Sequence, residues 1–185
     1  KTFIIKKNYF SHEDEKKMLE SKHNVIFEKT REESLLKAEQ EKAKIVIFDD
    51  GLQEKTINYD LKILCFNSKK GIGNGMELPS GPLRESFNEI NNCDLIFING
   101  ENKNNKLIDK IKIINKNINI FESNYFPTNL KKINTKRNFL FFCGIGNPHE
   151  FENTLFKFKF RIKRKFIYPD HYQILDKDID KMKEL

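Results

Sequence analysis

The stretch VIFDDGLQ, residues 46–53, ends an apolar run in two adjacent carboxylates, Asp49 and Asp50, with Gly51 behind them. A carboxylate at the end of a buried strand must be solvated, paired or bound to a cation. Two readings are open. One is a metal site, because Mg²⁺ takes one or two carboxylates together with substrate phosphates. The other is a turn, because Asp and Gly both favour turns. A second acidic pair, Asp14 and Glu15, falls in the first turn of a predicted helix. Acids there cap the helix and complement its dipole, so alone this pair reads as capping. His171 follows a proline in YPDHYQ. A loop histidine is ordinarily surface decoration, but with an acid in hydrogen-bond reach it becomes half of an acid–base pair.

Two glycine-rich stretches could meet an anion. GIGNGMELPSGPLRE, residues 71–85, does not fit GxGxxG. It suits an ordered ligand-contacting loop bearing Arg84 and Glu85, or else a plain long connection. GIGNP, residues 144–148, precedes a predicted helix and is either an anion-binding helix start or a tight strand–helix turn.

The elements that must position these groups follow from periodicity. Apolar runs at 2–6, 24–28, 44–49, 62–66, 94–98, 118–123 and 139–143 read as strands. The run at 44–49 is continuous and is expected to be central and covered on both faces. Helices are predicted over 11–21, capped by Ser11, and over 30–42, with a Thr30–Glu33 capping box and Leu35, Leu36 and Ala38 on one face. The tract ENKNNK, 101–106, reads as a loop or helix start. Strands alternating with helices give an α/β fold with a mainly parallel sheet. Residues 127–138 are polar and basic and read as a hinge between a core at 1–126 and part of a smaller α/β domain at 139–185. The stretch 156–168 alternates apolar and basic residues, predicting a strand with Lys157, Lys159, Arg161, Lys163 and Lys165 on one cationic face.

The chain has 185 residues and 38% hydrophobic content, enough for a packed core. Cys65, Cys93 and Cys143 each sit in or beside an apolar run, form no CxxC pair, and read as reduced core thiols of a cytosolic protein. The net charge of +7 favours anionic partners such as phosphates or acidic lipids. Richness in Lys, Asn, Ile and Phe also fits an A/T-rich coding sequence, which accounts for part of that basicity. No apolar run reaches membrane-span length.

In order, DDGLQ, GNG-x-x-LP-x-GPLRE, a strand ending in GIGNP-x-x-F, and PDH resemble the tetraacyldisaccharide 4′-kinase family, the lipid A 4′-kinases. The resemblance runs from about Ile4 to Tyr172. It implies a P-loop-kinase-like parallel sheet with helices on both faces and a smaller C-terminal domain. It implies ATP-dependent phosphorylation of the 4′-hydroxyl of a tetraacyldisaccharide 1-phosphate, with Mg²⁺, at the cytoplasmic face of a bacterial inner membrane. Peripheral contact with an anionic membrane surface is expected, and no nucleic acid. By the same resemblance Asp14 and His171 are the catalytic dyad. Asp49, Asp50 and Glu15 are metal ligands, and Gln53, Asn74, Arg84 and Glu85 bind substrate.

The sequence departs from the family pattern at Glu13, where Gly is usual, at Leu52, where Phe is common, and at Glu54, where His often stands. Nothing in it matches G-x-x-x-x-G-K-[ST], the loop that cradles nucleotide phosphates. The family's N-terminal membrane-associating segment and its late TTEKD segment are likewise unmatched. The expectation is therefore a fragment unable to transfer phosphate by itself. Two rivals are a basic α/β module that binds anionic lipid or nucleic acid without catalysis, and a sugar-nucleotide enzyme using Asp49 and Asp50 to hold a metal.

Overall fold

Runs of β-branched and aromatic residues form the strands, and the polar stretches between them form the helices. The computed structural model describes residues 1–6 and 13–184. Along the chain stand β1 (Thr2–Ile5), α1 (Glu13–Glu20), β2 (Asn24–Ile26), α2 (Arg31–Gln40) and β3 (Ile45–Phe48). Then come β4 (Ile63–Asn67), β5 (Leu95–Asn99), α3 (Asn105–Ile114) and β6 (Asn119–Ser123). The series ends with β7 (Asn138–Cys143), α4 (Pro148–Lys157), β8 (Arg161–Ile167) and α5 (Asp176–Lys183). Ser11, the expected cap of α1, and His12 lie outside the described residues.

The backbone divides into two compact units, Lys1–Ile57 with Asn129–Leu185, and Asn58–Thr128. The expected hinge at 127–138 begins where the second unit ends. The contacts join residues 1–57 to 129–185, whereas the sequence suggested a single core over 1–126.

In the first unit β2, β1 and β3 form a parallel sheet in that order. Phe3, Ile5 and Ile26 are buried on one face against Ala38 of α2. The expectation that the third strand is central is corrected: among the described residues β1 has neighbours on both sides, and β3 is an edge of its sheet. Ile45 is 57% exposed and Ile47 51%, because alternation sends only Val46 and Phe48 to the packed face. The expected face of α2 is also corrected. Ser34 and Ala38 are buried while Leu36 is 59% exposed, since small side chains let the helix lie close on the sheet. Its capping box is formed: Thr30 Oγ1 accepts from Glu33 N–H and Glu33 Oε2 accepts from Thr30 N–H, both at 3.1 Å.

The same unit holds a second parallel pair, β7 and β8, with a bulge between Phe139 and Leu140. That bulge, with Lys159 at φ +63° and Lys157 still in α4, breaks the expected cationic stripe. Lys165 instead pairs with Glu152.

The second unit is built on β4, β5 and β6, parallel and in that order. Ile96 and Ile98 of the central strand pack with Leu107 and Ile111 of α3 and with Ile72, Ile90 and Ile118. ENKNNK is a helix start: Asn104 Oδ1 accepts from Leu107 N–H at 2.9 Å. Of the three thiols Cys143 is buried, Cys93 half-buried and Cys65 exposed, so the core-thiol expectation fails at Cys65. Among the described residues no helix is long and apolar enough to cross a membrane.

Candidate active site

In a parallel sheet, functional groups gather beyond the carboxyl ends of the strands. Lys6 directly follows β1 and Asp49 directly follows β3. The register Ile5↔Phe48 makes them neighbours, and Asp49 N–H donates to the Ile5 carbonyl at 2.9 Å. Lys6 Nζ donates to Asp49 Oδ2 at 2.7 Å. The same ammonium lies 2.7 Å from Glu15 Oε1, on the first turn of α1, and its side chain is 13% exposed. Burial pulls the Lys6 ammonium down, but hydrogen bonds and charge from Asp49 and Glu15 outweigh this and hold it above its ordinary value of 10.5.

One residue before Glu15, Asp14 turns to a different partner. Its Oδ1 lies 3.1 Å from His171 Nδ1 and its Oδ2 3.3 Å. Desolvation pushes the Asp14 carboxyl up, but the His171 hydrogen bond and charge and the backbone N–H of Glu15 together hold it below 3.8. The pair read as mere capping is thus half of a long-range contact.

The turn that carries His171 is built by local packing. His171 has φ +56°, and its N–H donates to the Gly144 carbonyl at 3.1 Å. A Cβ on Gly144 would sit 3.0 Å from the Pro169 carbonyl oxygen, and one on Gly146 would sit 2.9 Å from Asp170 Oδ2. Gly144 serves the close approach of the two loops, since the atom it faces is backbone, whereas the carboxylate facing Gly146 can swing aside. The helix start behind them is closed by protein: Asn147 Oδ1 accepts from Glu150 N–H and Asn147 Nδ2 donates to Glu150 Oε2. The turn reading of GIGNP therefore holds. Beyond His171, Tyr172 stacks on Tyr168 at 4.7 Å and donates to Asp178 Oδ2 at 3.1 Å.

The two aspartates of the opening stretch have separate settings. Asp49 belongs to the Lys6 cluster, while Asp50 occupies the turn with φ +55°. Arg31 Nη2, at the start of α2, donates to the Asp50 carbonyl at 2.5 Å and reaches the Asp49 carbonyl at 3.4 Å. Lys6 and Arg31 were missed by motif reading. A signal for Lys6 was present: a lysine ending one parallel strand beside an aspartate ending the next.

Gln53 is exposed in the turn after Gly51. Asn74, Arg84 and Glu85 belong to the second unit. There Asn74 braces its own loop, with Nδ2 donating to the Ser80 carbonyl at 2.8 Å and Oδ1 accepting from Met76 N–H at 3.1 Å. The glycine-rich segment is ordered, with Glu77 and Leu83 bridged.

For a metal, the donor set near Lys6 suits a cation, since its ammonium already sits between two carboxylates. Among the described residues no three His, Cys, Asp or Glu side chains gather as a metal-ligand group. Of the expected trio, Asp49 and Glu15 meet on the Lys6 ammonium, and Asp49, Asp50 and Glu15 do not gather as a metal-ligand group among the described residues.

Mainly parallel strands alternating with helices, with Asp49 beyond the carboxyl end of β3, make a P-loop-kinase-like α/β fold. The family model described as tetraacyldisaccharide-1-P 4′-kinase matches residues 9–185. A tetraacyldisaccharide 4′-kinase of Pelagibacter ubique is 44% identical over 181 residues, 97% of this chain and 57% of that protein. One from Rickettsia canadensis is 33% identical over 162 residues, 87% of this chain and 48% of that protein. The crystal structure of apo-form LpxK from Aquifex aeolicus in complex with ATP is similar in fold, with TM-score 0.67 and 20% identity over 93% of this chain and 62% of that one. The chain belongs to the tetraacyldisaccharide 4′-kinase family. It spans about half the length of the curated relatives it matches.

Proposed function

We propose that the protein acts in ATP-dependent phosphorylation of the 4′-hydroxyl of a tetraacyldisaccharide 1-phosphate, with Asp14 and His171 as its acid–base pair. The observation that carries this is the 3.1 Å contact between His171 Nδ1 and Asp14 Oδ1. Capping alone gives no reason for a histidine from the far end of the chain to meet that carboxylate.

In the proposed reaction Asp14 orients the sugar hydroxyl and takes its proton as the oxygen–phosphorus bond forms. The bond between the β,γ-bridging oxygen and the γ-phosphorus breaks, and ADP leaves. Phosphoryl transfer through a loose transition state asks little basicity of its base and much positioning. An aspartate is ionised at neutral pH, so Asp14 is in the acceptor form that this step needs. His171 fixes its orientation by donating Nδ1–H to the ionised carboxylate.

Mg²⁺, held by Asp49 and Glu15 with Asp50 near the same strand end, would neutralise charge on the transferring phosphate. Gln53, Asn74, Arg84 and Glu85 are proposed to bind substrate. The site is proposed to work peripherally at the cytoplasmic face of the inner membrane. Support comes from the charge distribution: no Asp or Glu occurs in 129–149 or 153–169, which carry Lys131, Lys136, Arg137, Arg161, Lys163 and Arg164.

The test is transfer of labelled phosphate from ATP to tetraacyldisaccharide 1-phosphate by these residues joined to the P-loop segment of a family member, since they contain no G-x-x-x-x-G-K-[ST] loop of their own, as wild type, Asp14→Asn and His171→Ala. Each substitution should cost roughly 10²–10⁴-fold in kcat with little change in KM. Wild-type rates in both variants would overturn the assignment.

A further inference from the structure

We propose that Lys6 is a positioning residue of this site, an internal cation that locks the first turn of α1 onto the carboxyl edge of the β2–β1–β3 sheet. The proposal rests on the reading of Asp14 and His171 as the acid–base pair. Glu15 and Asp49 come from different elements, and both approach one point within 2.7 Å of Lys6 Nζ. Without a cation there, two carboxylates would repel across a partly desolvated gap. With the ammonium between them the interaction changes sign and becomes a tether.

The lysine head suits this task. It is a compact charge with three donors, so it can serve two carboxylates from separate elements without imposing a plane. Successive helical residues point about 100° apart. A helix turn rotated so that Glu15 meets Lys6 therefore sends Asp14 in another direction, where His171 stands. Fixing Glu15 fixes the rotation of the turn, and with it Asp14. The backbone bond from Asp49 N–H to the Ile5 carbonyl keeps the other carboxylate in register with the same strand end.

A second consequence concerns divalent cations. The pair is already neutralised, so an incoming metal ion must displace or share with the ammonium. Removing that charge leaves a bare two-carboxylate site.

The test uses the full chain as wild type, Lys6→Met and Lys6→Arg, with the amide NMR spectrum as the check on folding. The first readout is the ¹⁵N signature of the His171 imidazole. In Lys6→Met it should move to that of Asp14→Asn, and Lys6→Arg should stay nearer wild type. The second is Mn²⁺ binding followed by paramagnetic relaxation, without nucleotide. Lys6→Met should bind at least about tenfold tighter than wild type, and Lys6→Arg no tighter. A His171 signature unchanged in Lys6→Met, or equal Mn²⁺ affinity in Lys6→Met and wild type, overturns the proposal. If Lys6→Met does not fold, Lys6→Gln is read the same way. Neither readout involves ATP or lipid, so failure here is distinct from failure of the kinase reading, which phosphate transfer decides.

Discussion

His171 Nδ1 stands 3.1 Å from Asp14 Oδ1 across a sequence separation of 157 residues. The contact joins the first turn of α1 to the turn that follows β8. It makes Asp14 one of the carboxylates through which acid stability can be read. The folded-state pKa of Asp14 lies below its ordinary 3.8, so the contact stabilises the fold fully above that value. The contribution is lost as pH falls through the lower, folded-state pKa. The difference in urea midpoint between wild type and Asp14→Asn should be smaller below about pH 4 than at about pH 5. A difference that grows on acidification would contradict this assignment.

The approach of the Gly144 and His171 loops gives a second expectation. Gly144→Ala places a methyl group 3.0 Å from the Pro169 carbonyl oxygen and 3.4 Å from Tyr172 Cβ. Backbone has to give way, and the His171 turn moves with it. Thermal unfolding should show a loss of about 1–2 kcal/mol. Phosphate transfer should fall further than that loss of folded protein accounts for. Unchanged stability and activity would mean that the turn tolerates a wider gap.

Much of this arrangement was legible in the sequence, and the parts that were not share a cause. Strand positions, the Thr30 box and the parallel α/β class follow from local periodicity and capping chemistry. The family resemblance singled out Asp14 through Glu13-Asp14-Glu15, Asp49 through DDGLQ and His171 through PDH, and Asp14 and His171 do meet in the fold. What local pattern could not supply was strand order. An apolar run such as 45–48 reads as central, yet β1, equally short, is the strand with two partners. Lys6 escaped notice for the same reason, because its role depends on which strand lies beside β1. The cationic stripe failed through a bulge, which no two-residue period announces.

Membrane contact is tested with vesicles. Arg161, Lys163 and Arg164 are exposed on β8. Each basic residue near an anionic surface contributes about 1 kcal/mol at low salt. The chain should sediment with phosphatidylglycerol-containing vesicles at low ionic strength and be released at roughly 0.5 M salt, where the Debye length falls to a few ångströms. Charge reversal at Arg161, Lys163 and Arg164 should abolish sedimentation while leaving the Asp14–His171 contact intact. Equal binding to neutral vesicles would argue against an electrostatic surface.

Asp49 and Asp50 are adjacent, yet substitution should separate them. Asp49 accepts from an ammonium that is 13% exposed, so Asp49→Asn removes a charge partner from Lys6 and should lower stability. Asp50 occupies a left-handed backbone conformation at φ +55°, where the side chain is a steric cost. Asp50→Gly should therefore fold at least about 1 kcal/mol more stably than Asp50→Ala, because only glycine is free of that cost. Both Asp50 variants lose the carboxylate, so any catalytic loss due to the missing charge should be the same in the two. Denaturant titration of Asp49→Asn, Asp50→Gly and Asp50→Ala, read beside phosphate transfer, separates the backbone role of Asp50 from its charge. Equal stabilities for the glycine and alanine variants would show that the turn relaxes out of the left-handed region, leaving the Arg31 contact to the Asp50 carbonyl as what holds it.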